Sequence, residues 1–297
     1  MRFDPHHLAA LSAVLQLGSF DGAAAALGVT PSAVSQRIKA LEDRVGTPLV
    51  NRGSPCTGTD SGLRIAKHAE DVALLERRLS RALSLKGDMR PARLKVAVNA
   101  DSLATWFIGA MVAADGVLFD LVIDDQDHST EWLRSGAVSA AVSAEARAVA
   151  GCDVHPLGRL EYVATASPAF MARWFPEGLT PEALRRAPCM IFNAKDRLQH
   201  RWLDRFVAPG VAPPAHYLSS TQAFLDAAVA GLGWGLNPEV LARPRLAQGD
   251  LVEMAPGRRL DTPLYWQVSR IMAPALREVT SAVRQAAAVG LLPAEGP

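Results

Sequence analysis

Ser19-Phe20-Asp21-Gly22-Ala23-Ala24-Ala25-Ala26-Leu27-Gly28-Val29-Thr30-Pro31-Ser32-Ala33-Val34-Ser35-Gln36-Arg37-Ile38-Lys39-Ala40-Leu41-Glu42 reads as a small-residue helix, a turn containing Gly28, and a second helix with two unlike faces. Thr30 is a good N-cap, and Pro31 suits the first helical position, where an N–H would lack a partner in any case. Val34, Ile38, Leu41 and Val45 recur at i, i+4, i+7 and i+11 in one stripe, while Ser32, Ser35, Gln36 and Lys39 share the opposite side. One face packs and the other is available to read. Short hydroxyls, an amide and a lysine ammonium can hydrogen-bond base edges in a DNA major groove, glutamine suiting adenine and lysine guanine. Arg37 and Arg44 flank this face near the phosphates. The small side chains of Ala23 to Ala26 let two helices cross closely, and Leu27 and Val29 plug the corner. The pattern predicts a helix-turn-helix. An ordinary helical hairpin with a solvated polar face would not require so many of these elements in register.

Upstream, residues 5–17 form a helix with Leu8, Leu11, Val14 and Leu15 facing inward, and Ser19 caps the next one. Downstream, Gly46 to Thr59 is too rich in Gly and Pro for a helix and reads as a short β-wing beside the reading helix, with Arg52 aimed at phosphate. From Thr59 or Asp60 to about Leu85 the pattern is helical again. Ile65, Ala69, Val72, Leu75, Leu79 and Ala82 or Leu83 repeat at intervals of three and four, a seam best buried against a copy of itself. Packing onto its own chain is the alternative for that helix. Gly87 to Pro91 then forms a hinge.

The remainder alternates short apolar runs with helical stretches, as βαβ units do. Strand candidates are Leu94–Asn99, Leu118–Ile123, Val138–Ser143, Tyr162–Ala166, Cys189–Phe192, Tyr217–Ser219, Gly233–Asn237 and Leu264–Val268. Two such series suggest two α/β lobes, with the chain crossing near 160–165 and returning near 265–268. The expected fold is α+β multidomain: a winged helix-turn-helix over 1–59, a linker or dimerisation helix and hinge over 60–90, a first lobe of 91–163 plus 268–297, and a second lobe of 164–267. A cleft between the lobes is the natural ligand site, because parallel sheets bind ligands at the carboxyl ends of their strands.

Composition fits this plan. The chain is 49% hydrophobic and 21% charged, which excludes a disordered polymer, and no apolar run reaches the roughly 20 residues needed to span a bilayer. Met1 to His7 carries no export-signal hydrophobic stretch, so a cytoplasmic protein is expected. Cys56, Cys152 and Cys189 are odd in number and far apart, which favours reduced structural thiols over a disulfide or a zinc site. Cys56 in the wing could alternatively be a redox sensor, but nothing nearby acidifies it recognisably. Net charge is +1, yet residues 1–90 hold twelve Lys/Arg against nine Asp/Glu, leaving a slightly acidic body below a slightly basic head.

Along its whole length the chain resembles the LysR-type transcriptional regulators, through Ala23 to Glu42 followed by Gly46-Thr47-Pro48-Leu49-Val50-Asn51-Arg52. Ala97-Val98-Asn99-Ala100-Asp101-Ser102-Leu103-Ala104-Thr105-Trp106 is similar to a signature of the lysine- and arginine-responsive LysG/ArgP branch, formerly described as an inhibitor of chromosome initiation. Leu264-Tyr265-Trp266 is similar to that branch too. The resemblance implies a winged helix-turn-helix, a linker helix that pairs two chains, and a two-lobed effector domain shaped like a periplasmic binding protein. It implies a homodimer or homotetramer on operator DNA, working with RNA polymerase to activate a divergently placed exporter gene for basic amino acids. Lysine, arginine and sometimes histidine are the implied effectors; no cofactor or metal is implied. Two positions depart from the family pattern: Pro31 stands where Gln is more usual, and Gly58-Thr59 replaces Leu-Thr at the start of the linker helix. Both put the transfer of an operator sequence in doubt.

The DNA-reading candidates are Thr30, Ser32, Ser35, Gln36, Arg37, Lys39 and Arg52. For the effector, Asn99, Asp101 and Ser102 follow the first strand of lobe one, and Asp124, Asp125 and Asp127 follow the second. Ser143 ends the third strand. Carboxylates gathered at strand ends can pair with an ammonium or guanidinium. Helix starts at Ser102 or around Ser220 and Thr221 could take an α-carboxylate, and Trp106 could close over an aliphatic stem. Thr165, Ser167 and Asn193 are weaker candidates across the cleft, since Asn and hydroxyls after strands commonly only cap. Solvated loop or cap roles are the alternative for the aspartates. Trp234 and Trp266 read as core. No Gly-x-Ser-x-Gly, Walker or dinucleotide pattern supports an enzyme on the two-lobed body. A free solute-binding protein would not carry the DNA head, whereas a regulator of the same family sensing another metabolite stays open. Such a site for an acid calls for Arg or Lys at the strand ends.

Overall fold

The computed structural model describes residues 2–84, 91–124 and 129–294, and of Asp124 only the backbone. Three helices open the chain: α1 (Pro5–Leu17), α2 (Phe20–Leu27) and α3 (Pro31–Val45). Each begins on the side chain that the sequence supplies just ahead of it. Asp4 accepts from the N–H of His6, Ser19 Oγ from Gly22 (3.2 Å) and Thr30 Oγ1 from Ala33 (3.2 Å), satisfying donors that a helix start leaves over. Val34, Ile38 and Leu41 are fully buried against Leu11, Val14 and Ala23, while Val45 at the helix end is half-buried.

The wing is a short antiparallel hairpin of β1 (Val50–Asn51) and β2 (Thr57–Gly58). Glu42 near the end of α3 accepts from the Leu49 N–H at 2.8 Å, which ties the wing to the reading helix. Helix α4 (Asp60–Ala82) leaves the wing from Thr59, whose hydroxyl donates to Pro48 O at 2.8 Å and accepts from Gly62 N at 3.1 Å. Gly62 is required here, because a Cβ would lie 1.9 Å from Leu49 O.

The faces of α4 take different surroundings. Leu75, Leu79 and the following Leu83 are exposed, as a seam for a second copy would be. Another face docks on the body of the same chain. Leu74 is buried there, Lys67 donates to Asp71 (2.5 Å) and Ser139 Oγ (2.6 Å), and Arg81 pairs with Glu278. The hinge expected over 87–91 lies outside the described residues except for Pro91.

The body is built on a large mixed sheet, with a separate two-stranded parallel sheet beside it. β3 (Ala92–Asn99), β4 (Val117–Asp124) and β5 (Ala140–Ser143) run parallel, with β3 central. Between β3 and β4 the chain is continuously helical: α5 (Ala100–Ser102), a π-helical stretch Leu103–Phe107, and α6 (Ile108–Ala113). Helix α7 (Ser129–Arg134) precedes β5. β6 (Cys152–Ala166) follows, then α8 (Pro168–Trp174), α9 (Pro181–Leu184), β7 (Cys189–Ile191), α10 (Leu198–Phe206), β8 (Ala215–Tyr217) and α11 (Thr221–Val229). β9 (Gly235–Pro238), α12 (Glu239–Gln248), β10 (Val252–Glu253), β11 (Arg259–Ser269) and α13 (Arg277–Gly290) complete it.

The two chain crossings lie inside β6 and β11, which pair antiparallel from Arg259↔Val163 to Ser269↔Cys152. Both strands are longer than the apolar runs at 162–166 and 264–268 indicate. Their extra halves carry charges that pair across the ladder, Arg159 with Asp261 and Arg259 with Glu161, so no apolar alternation announces them. β9 and β10 pair with the far half of β6, whereas β5 pairs with the near half of β11. Trp234 and Trp266 are fully buried, as read from the sequence. So are Cys152 and Cys189, and burial pushes the Cys189 thiol up to about 12. Among the described residues no helix is long and apolar enough to cross a membrane.

Replacing Gly62 by Ala forces the wing off the start of α4. The expected cost is about 1–3 kcal/mol, the usual range for an added methyl with no room. Urea denaturation followed by circular dichroism checks it, and an unchanged midpoint would show that this junction adapts freely.

Candidate functional site

On the head, Ser32, Gln36 and Lys39 are exposed along α3, and Ser35 and Arg37 are half-buried beside them. Thr30 is exposed, and its Oγ1 is used to accept from Ala33 as the cap, which leaves its O–H to donate outward. On the wing, the exposed Arg52 guanidinium lies 5.4 Å from the centroid of the Phe20 ring, a stacking contact that holds it beside α2. Hydroxyls, an amide and two kinds of cation are thus presented on one helix and its adjoining wing.

In the body, a cavity partly open to solvent is lined by Asn99 at the end of β3 and Asp101 on α5, by Asp196 just before α10 and Gln199 in its first turn, by Thr221 on α11 and by Asn237 on β9. Phe192, Leu198, Phe224 and Leu236 add an apolar wall. Asp101 joins the two sides. Its carboxylate accepts the Tyr162 hydroxyl (2.7 Å) from β6 and the Thr221 hydroxyl (2.7 Å) from the first turn of α11. Asp196 is held from behind, accepting from Phe192 N (3.1 Å) and Leu198 N (2.8 Å). The cavity therefore has a carboxylate on each side, and its described lining residues include no lysine or arginine.

Of the residues proposed from sequence, Asn99, Asp101 and Thr221 come together in this cavity. Thr165 stands behind it, its Oγ1 accepting from Asn237 Nδ2 at 3.0 Å. Asn193 is a loop former whose Oδ1 accepts from Lys195 N (2.8 Å) and Asp196 N (3.2 Å), so it shapes the turn that presents Asp196. Ser220 is the exposed N-cap of α11. Ser143 accepts from Gln267 and from Glu145 N, and thus organises the loop after β5. Ser102 is fully buried and does not line the cavity.

Trp106 packs against α13 and is not among the residues that line the cavity. Gly290 leaves the space for it, since a Cβ there would sit 2.5 Å from Trp106 Cβ. Asp124 ends β4 opposite Asn99 in the ladder, and Asp125 and Asp127 lie outside the described residues. Tyr162, Asp196, Gln199 and Asn237 were not singled out from sequence. The Asn193-to-Asp196 turn was the available signal for two of them. Burial and then the Arg197 charge lower the pKa of His200, next to Gln199.

Residues 5–63 match the bacterial regulatory helix-turn-helix model of the lysR family, and residues 91–288 match the LysR substrate binding domain. The chain belongs to the LysR family of transcriptional regulators. It is 43% identical over 286 residues to the HTH-type transcriptional regulator LysG of Mycobacterium tuberculosis, covering 96% of this chain and 94% of that one. Over 299 residues it is 42% identical to ArgP of Pseudomonas fluorescens, covering 99% and 100%. Among solved structures it is similar to ArgP from Mycobacterium tuberculosis, with TM-score 0.78 and 42% identity over 99% of this chain and 100% of that one. Full-length LysG from Corynebacterium glutamicum with bound effector Arg gives TM-score 0.65 and 36% identity, over 98% and 100%. A LysR-family head implies DNA binding, and the polar face of α3 with the wing is the part of this chain shaped for it.

Arg52→Ala is expected to weaken DNA binding about equally on operator and random duplexes. The slope of log affinity against log salt should fall by about one unit, as loss of one phosphate contact requires. Fluorescence anisotropy over a sodium chloride series measures both. An unchanged slope would remove Arg52 from the phosphate contacts.

Proposed function

We propose that this LysR-family regulator senses a basic amino acid, arginine or lysine, in the cavity between its lobes and thereby activates a divergently placed exporter gene. The observation that carries the reading is the charge of the cavity. Asp101 contributes one carboxylate and Asp196 another, with no lysine or arginine among the described lining residues. A neutral amino acid brings one cation, whereas arginine and lysine bring two, one for each carboxylate. Charge-assisted hydrogen bonds of this kind are worth about 1.5–3 kcal/mol each. The apolar side chains of Phe192, Leu198, Phe224 and Leu236 suit an aliphatic stem between the two charges. The solved relative with arginine bound supports the same class of ligand.

The Asp101–Thr221 bond supports placing the amino-acid head group at that end of the cavity. Thr221 opens α11, where backbone N–H groups of the first turn favour a carboxylate, while Asp101 beside it favours an ammonium. A ligand bound there touches both sides of the cleft and favours whichever lobe arrangement it fits better. It shifts the regulator only through that difference in affinity. In this reading the chain works as a dimer or tetramer through the exposed Leu75, Leu79 and Leu83 face of α4, and its activated form engages RNA polymerase.

Calorimetric titration with arginine, lysine, histidine and leucine tests the reading. Saturable binding of arginine or lysine without leucine is the expected result, and Asp101→Asn should weaken it by about ten- to a hundredfold, the loss of one charged hydrogen bond. No binding of any basic amino acid to the wild type would reject the reading and direct the search to other metabolites.

A further inference from the structure

Resting on the reading of the cavity as a basic amino-acid site, we propose that Gln199 is the specificity-determining residue for the tip of the effector side chain. Its carbonyl accepts an N–H from the same cationic group that Asp196 neutralises. Gln199 is 1% exposed and lines the cavity, and its buried Oε1 has no hydrogen-bond partner among the described residues. A buried acceptor left this way costs about 1–3 kcal/mol until a donor arrives. The neighbouring Leu198, Phe192 and Phe224 side chains have no donor to give, and a ligand in the cavity can bring one.

The placement selects the tip. Asp196 lies just before α10 and Gln199 in its first turn, and both line the cavity. The Asp196 carboxylate is pinned by two backbone N–H groups and its loop by the Asn193 side chain, so this end of the cavity is set before a ligand enters. Asp101 and Thr221 occupy the end assigned to the head group. A ligand stem running between them leaves its terminal ammonium or guanidinium at Asp196 and Gln199. Charge recognition belongs to Asp196, and counting donors belongs to Gln199. A guanidinium, with five N–H groups in a rigid plane, can serve a carboxylate and a carbonyl together without moving either.

The test uses the full-length protein and titrates arginine, lysine and norleucine, the last being a chain of similar length without a donor at its tip. Gln199→Met keeps the size and removes the acceptor. Arginine affinity is expected to fall by about tenfold or more, while norleucine binds at least as well as to the wild type. A merely structural role would weaken all three ligands alike. Gln199→Glu, which keeps an acceptor, is expected to hold arginine at least as tightly as the wild type does, and it decides the matter if the Met variant does not fold. Wild-type-like arginine binding by Gln199→Met, or equal loss for arginine and norleucine, would overturn the assignment and leave the basic amino-acid reading intact. Failure of the wild type to bind arginine or lysine would instead remove the reading and the assignment together.

Discussion

The pairing of β6 with β11 is the constraint on which the body depends. Two covalent crossings are joined into one antiparallel ribbon, and both lobes are attached to its two ends. β5 and through it β3 and β4 build on the near half of β11, while β9 and β10 build on the far half of β6. A ribbon of this kind bends or twists more readily than it stretches. The ladder shifts register between Leu264 and Tyr265, and backbone irregularity of that sort is where bending is easiest. Tyr162 links this ribbon to the cavity. It lies on β6 and gives its hydroxyl to Asp101, so the same strand that connects the lobes also orients the carboxylate between them.

The head is attached to this body by contacts that respond to where lobe one sits. Lys67 reaches both Asp71 and Ser139, and Ser139 takes its own position from β3 through a backbone bond to Lys95 O at 3.1 Å. Four residues further along the same strand is Asn99, in the wall of the cavity. Leu74 is buried in the core of the body, and Arg81 meets Glu278 on α13. One buried leucine, the Lys67–Ser139 hydrogen bond and the Arg81–Glu278 ion pair hold α4 to the body. An exposed ion pair of that kind contributes roughly 0–1 kcal/mol, so the buried leucine and the Lys67 bond carry the larger share.

The helix-turn-helix was legible because its determinants are local. Thr30 caps the helix that begins one residue later, Pro31 occupies the position that tolerates it, and Val34, Ile38 and Leu41 are spaced for one buried face. Asp101 and Thr221 were legible in a weaker way, one inside a branch signature and the other at a predicted helix start. Their direct hydrogen bond joins residues 120 positions apart, and no window of sequence contains it. Asp196 and Gln199 follow a strand of only three residues and a turn built by Asn193, too short for periodicity to register. Trp106 misled for a related reason. An aromatic residue near a binding signature can equally fill an apolar seam, and the small Gly290 that makes room for it is far along the chain. The first halves of β6 and β11 were missed because their stabilising pairs are charged, and alternation of apolar residues is what identifies a strand from sequence.

The division of the cavity into an apolar wall and a few polar groups also bears on how selective such a sensor can be. Phe192, Leu198, Phe224 and Leu236 favour any aliphatic stem, and one methylene more or less changes that by only about 1–3 kcal/mol. Discrimination of basic from neutral amino acids must therefore come from the polar groups, since a ligand that fails to pair them leaves them buried and unsatisfied. Asp101 and Asp196 differ in this respect. Asp101 takes two hydroxyls, and Asp196 two backbone N–H groups that belong to the turn itself. The hydroxyls of Tyr162 and Thr221 can rotate toward other acceptors, whereas the backbone donors behind Asp196 cannot. On the proposed reading, Asp101 is thus suited to a group common to all amino acids. Asp196 is suited to a charge that must arrive in one place, which is the requirement for reading the end of a side chain.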